Sequence, residues 1–65
     1  MKTLQYRVER LEDNIRYITV LSEGKTFTEL ECLGGFLTNE EEIQNWLDDN
    51  GYEDEVFEFE KIDLL

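Results

Sequence analysis

Asp48, Asp49, Glu53, Asp54 and Glu55 gather five carboxylates around Gly51, and Glu58 and Glu60 follow at strand spacing. Such a group can hold a divalent cation, serve acid–base chemistry or present negative charge to a basic surface. The calcium option fails on spacing. An EF-hand loop needs oxygen ligands at its first, third and fifth positions, Gly at the sixth and Glu at the twelfth. With Gly51 in sixth place, Trp46 falls first and Phe57 twelfth. The segment reads instead as a helix end followed by a solvated turn, and no metal site is expected.

Catalysis lacks its usual parts. The chain contains no histidine, which removes the commonest general base. Cys32 is the single cysteine, so no internal disulfide can form. It lies in a strand pattern beside Glu31, a setting that raises a thiol pKa, and it reads as a buried structural residue. Ser22 has no base near it in sequence. Carboxylate pairs in glycosidases and metal nucleases work inside a cleft, which 65 residues rarely build. Gly34-Gly35 lacks the third glycine of a dinucleotide loop, and no Lys-Ser/Thr pair marks a P-loop. The expectation is a non-enzymatic protein without a cofactor.

The charge is unevenly spread. The net charge is −11, from 17 acids and 6 bases. Residues 1–33 hold five bases against six acids, whereas residues 34–65 hold Lys61 alone against eleven acids. Half-to-half asymmetry of this kind points to a polar interaction surface. Phosphate backbones and anionic membranes are excluded as direct ligands by the sign of the charge. Hydrophobic residues make up 40% of the chain and aromatics 12%, too much for a disordered acidic tail.

Elements must position these acids. Residues 3–10 alternate, with Leu4, Tyr6 and Val8 on one face, and predict a half-buried strand. Asp13 and Asn14 supply a turn. Residues 15–22 are apolar on both faces and predict a central strand. Ser22-Glu23-Gly24-Lys25 suits a hairpin loop with a residue at positive φ. Residues 26–33 predict a third strand, with Thr26, Thr28, Leu30 and Cys32 on one face and Phe27, Glu29, Glu31 and Leu33 on the other. Thr38 with Glu41 forms a capping-box pattern. Ile43, Trp46 and Leu47 then make the apolar stripe of a helix, which Gly51 ends with Tyr52 folding back on Leu47. Residues 55–63 predict a last strand with Phe57 and Phe59 on one side. Ile62 and Leu64 break that register, which a bulge near Lys61 or the strand's end would explain.

The fold class expected is α+β, a single domain over residues 1–65. It is a small antiparallel sheet in the order β-β-β-α-β, with one helix packed on a face. No segment approaches the roughly 18 apolar residues of a membrane helix, and no signal segment is apparent. A lone cysteine fits a reducing compartment, so a cytoplasmic protein is expected.

Not all acids carry the same meaning. Glu40, Glu41 and Glu42 occupy a helix first turn, where the dipole favours anions. Asp48 and Asp49 occupy the last turn, where it does not. Placements that oppose local stability are often functional. The expected partner-binding residues are therefore Asp48, Asp49, Tyr52, Glu53, Asp54, Glu55, Glu58 and Glu60, with Tyr52, Trp46 or Phe36 as apolar anchor. Alternate strand residues lie about 6.8 Å apart, at a rise of about 3.4 Å per residue, broadly the step of phosphates along a nucleic-acid strand. In size, charge and mixed α/β character the chain resembles the small acidic inhibitors made by bacteriophages and mobile elements, some of which imitate DNA. The resemblance implies an inhibitor or regulator that engages a basic, nucleic-acid-binding surface of a partner protein, without binding nucleic acid itself. The competing expectation is a structural or accessory protein acting as a homodimer or by sheet-edge docking, through Ile18, Val20 and Leu30.

Overall fold

The computed structural model describes residues 2–62, apart from the side chains of residues 10–12. Three strands run first: β1 (Lys2–Glu12), β2 (Ile15–Ser22) and β3 (Lys25–Leu33). The helix α1 (Asn39–Asp49) and the short β4 (Phe57–Lys61) follow. The order β-β-β-α-β and the α+β class are as the sequence predicts. The sheet order is β3-β2-β1-β4, which puts β2 and β1 inside.

Two tight turns make the meander. Asp13 and Asn14 have φ of 51° and 65°, and Glu23 and Gly24 have 53° and 80°. Two consecutive positive φ values are the signature of the two-residue hairpin turn whose twist matches the strands. Asn and Gly take that conformation at little cost; Glu23 takes it at a penalty.

The last strand departs from the expected antiparallel arrangement. β1 pairs antiparallel with β2, and β2 with β3, but β4 pairs parallel with β1, from Lys2 opposite Phe57 to Tyr6 opposite Lys61. The cause is the helix. It carries the chain back across the sheet face, so β4 starts from the end where β1 starts and must run the same way. A parallel connection needs a crossover of this kind. Ile62 donates its N–H to the Tyr6 carbonyl at 2.8 Å just past β4. The expected register of Leu64 lies outside the described residues.

The core lies between the sheet and α1. Leu4, Tyr6, Ile18, Val20 and Cys32 from the sheet meet Ile43 and Leu47 from the helix. Ile18 and Val20 are buried there, so neither is available as a docking surface, contrary to what self-association through them requires. The molecule measures 15 Å along its shortest axis, the thickness of one sheet and one helix.

One face assignment changes. The β2–β3 register shifts between Val20 and Leu21, where Thr28 pairs with Val20 and Thr26 with Leu21. Phe27 is the extra residue of this bulge. A bulge re-aims a side chain, and Phe27 joins the helix side instead of following Glu29 and Glu31. Its ring packs edge-on against Trp46 at 5.8 Å and Tyr52 at 5.6 Å.

Candidate functional site

The helix termini are built as the residue types require. Thr38 accepts a hydrogen bond from the Glu41 N–H at 3.1 Å, while Glu41 Oε1 accepts from the Thr38 N–H at 2.8 Å. At the other end Gly51 has φ of 90°, and Tyr52 donates its N–H to the Leu47 carbonyl at 2.9 Å. That bond closes a Schellman ending.

All three acids of the helix first turn have structural partners. Glu41 completes the capping box. Glu40 Oε2 accepts from the buried Tyr6 hydroxyl at 3.0 Å, tying the helix to β1. Burial first, then this carboxylate, push the Tyr6 pKa up. Glu42 pairs with Arg16 at 3.4 Å. Arg16 also donates to the carbonyls of Gly34 and Leu37 and to Asn39 Oδ1, so one guanidinium fastens β2 to the loop and to the helix start. Sequence reasoning saw Arg16 only as a strand residue of a nearly neutral half. Its position two residues before the Ile18 core site was the available signal, since it places Arg16 on the helix face.

The acids singled out from the sequence stand apart. Asp48, Asp49, Glu53, Asp54, Glu55, Glu58 and Glu60 are all exposed. Asp48 accepts from Gln44 at 3.0 Å and Glu60 from Gln5 at 2.7 Å. The side chains of Asp49, Glu53, Asp54, Glu55 and Glu58 have no hydrogen bond or ion pair among the described residues, whose two ion pairs are Arg7–Glu9 and Arg16–Glu42. No basic residue sits in the last helical turn.

These acids do not lie on one plane. Asp48, Asp49 and residues 53–55 surround the C-terminal end of the helix. Phe57 and Phe59 pack toward the helix, so Glu58 and Glu60 face away from it. The acidic segment therefore wraps from the helix end around the β4 edge onto the helix-free face. The same face carries further acids toward the opposite, β3 edge of the sheet. Glu29 pairs with Thr19 and Glu31 with Tyr17 across the strands, positions that alternate with the core residues Ile18 and Val20. Glu9 joins them at a second bulge, between Val8 and Arg10. A shallow dish of about 460 Å³ on this face is lined by Glu9, Tyr17, Thr19, Glu29 and Glu31, among others.

The three candidate anchors separate clearly. Tyr52 and Trp46 are half-buried in the aromatic group with Phe27 and Phe57, their own rings stacked 6.2 Å apart. Phe36 is 97% exposed. Cys32 is 4% exposed, and its thiol pKa is raised by burial and then by the Glu42 charge, with Arg16 opposing. Such a thiol is a poor nucleophile. Among the described residues no group of three or more His, Cys, Asp or Glu side chains is placed to hold a metal ion. No described helix is long and apolar enough to cross a membrane. No protein-family model, curated protein or solved structure matches this chain with significance.

Proposed function

We propose that this protein is a non-enzymatic, acidic protein-binding module, an inhibitor or regulator that engages a basic surface of a nucleic-acid-handling partner in the cytoplasm. The observation that carries the reading is the set of exposed carboxylates from Asp48 to Glu60 that no cation in the described chain neutralises. Their mutual repulsion opposes folding, whereas the first-turn acids Glu40, Glu41 and Glu42 all hold the fold together. A basic groove built for phosphates would relieve that repulsion. DNA mimicry, as in anti-defence proteins of bacteriophages, is the form of inhibition such a surface suits. Complementary charge speeds encounter and makes it salt-sensitive.

The test is reversal of Asp48, Asp49, Glu53 and Asp54 to Lys. A partner is first isolated by affinity capture from the native host at low and high salt, then titrated with both proteins. The reversal should abolish binding while the far-UV circular dichroism spectrum is retained. Unchanged affinity for the reversed protein rejects the reading.

A further inference from the structure

Asn50-Gly51 is the one place in the chain where glycine follows asparagine. That pair has a reactivity of its own. The backbone nitrogen of the second residue can attack the side-chain carbonyl carbon, Cγ, of the first and close a succinimide ring. Glycine allows this best, because it puts no side chain in the way of the approaching nitrogen. Asn14, Asn39 and Asn45 are followed by Ile15, Glu40 and Trp46, whose side chains crowd the same approach.

Exposure alone does not single Asn50 out, since Asn14 and Asn45 are exposed too. Its backbone setting does. Asn39 and Asn45 lie within α1, and Asn39 Oδ1 also accepts from Arg16. Asn14 sits in the tight turn that joins β1 to β2. Asn50 is the C-cap, just past the last helical residue. Among the described residues, the N–H groups of Asn50 and Tyr52 both donate to the Leu47 carbonyl, at 3.2 and 2.9 Å, and that of Gly51 donates to no backbone group. Gly51 is exposed, and a Cβ on it would meet no atom within 4 Å, so water reaches this peptide freely.

The resting turn is not the reacting one. Asn50 has ψ of 21°, and its Nδ2 donates to the Trp46 carbonyl at 2.7 Å. Ring closure needs that bond open and ψ rotated. Helix ends fray, and such local opening costs little. This end is loosened further by Asp48 and Asp49, which oppose the dipole in a last turn that has no basic residue.

We propose that Asn50 is a site of spontaneous deamidation, where water converts an amide that ties down the helix end into a carboxylate that joins the acidic segment. The Gly51 nitrogen bonds to Asn50 Cγ and the Cγ–Nδ2 bond breaks. The side-chain nitrogen leaves as ammonia, taking the proton from the Gly51 nitrogen. Water then opens the succinimide at either carbonyl: its hydroxyl adds to the carbonyl carbon and its proton returns to the Gly51 nitrogen. Opening at Cγ gives aspartate. Opening at the backbone carbonyl gives isoaspartate, whose main chain runs on through Cβ and Cγ. Either product adds one negative charge to the chain's −11 and removes the Nδ2 donor from the Trp46 carbonyl. The new anion opposes the helix dipole as Asp48 and Asp49 do. No partner protein takes part, so the site stands whether or not the acidic segment binds one.

Warm incubation of the folded wild type near neutral pH, followed by intact mass and peptide mapping, tests it. One amide should be lost per chain, confined to the peptide that holds Asn50 and recovered as aspartate and isoaspartate. An Asn50→Gln chain should keep its mass over the same period, because the longer side chain closes the ring far more slowly. Asn50→Asp, the stand-in for the product, should melt below the wild type. Loss spread evenly over Asn14, Asn39, Asn45 and Asn50 overturns the proposal. So does an Asn50 amide that persists in the folded chain long after the urea-unfolded chain has lost its own, since the turn then protects it. An Asn50→Asp chain as stable as the wild type overturns the structural half, that the amide ties down the helix end.

Discussion

Glu9 shows how a surface acid can be structural. Its Oε1 accepts from Arg7 Nε at 2.6 Å and from the Thr19 hydroxyl at 2.9 Å. Thr19 is only 4% exposed although its side chain lies on the helix-free face, and this bond satisfies it. Arg7 first, then Thr19, hold the Glu9 pKa below the usual 4.5. A depressed carboxylate stabilises the fold above its unfolded pKa and stops doing so as pH falls through its folded value. Glu9→Gln should therefore be less stable than wild type at neutral pH, and the gap should close below about pH 4, near the Glu reference value. Urea denaturation of both proteins across that range measures it. A gap that stays constant, or widens, on acidification would assign the Glu9 contribution to packing. None of this was visible in the sequence, where Arg7 and Glu9 are two charges on an ordinary alternating strand. The bulge that gathers them depends on pairing with β2, which is a tertiary matter.

The elements themselves were legible where local chemistry decides them. The Thr38/Glu41 box, the Gly51 ending and the Asp13-Asn14 turn each satisfy a backbone need with residues adjacent in sequence, so type and spacing suffice. Strand direction and bulges depend on partners far along the chain. Alternation alone put Phe27 with Glu29, and the β2–β3 register shift moved it. Within the candidate site the seven acids were legible as exposed positions, but not the division between helix end and sheet face. The end of α1 makes the conflict between stability and charge measurable. Asp48 and Asp49 oppose the helix dipole, and the last turn has no cation. Asp48→Lys and Asp49→Lys should each raise stability by about 0.3–1 kcal/mol, read from urea denaturation midpoints at constant m-value. If either substitution destabilises the chain, that acid supports the fold in a way its exposed position does not reveal, and the functional reading loses it.

At the scale of the molecule, −11 on 65 residues sets the response to salt. Two ion pairs among the described residues would be weakened by screening, but the many unpaired carboxylates would be relieved by it. The melting temperature should thus rise between low salt and about 0.15 M NaCl, where the Debye length is about 8 Å, and thermal unfolding followed by circular dichroism checks it. A fall would mean that attractive pairs dominate and that the acidity is internally balanced after all. The parallel pairing of β4 with β1 has a consequence during synthesis. Residues 2–33 can zip into two hairpins as they emerge, yet one side of β1 keeps its backbone groups unpaired until Phe57–Lys61 arrives. Domains made at roughly 5–20 residues per second leave such an edge open for seconds. The nascent chain is a three-stranded ribbon with an adhesive border until its final strand seals it.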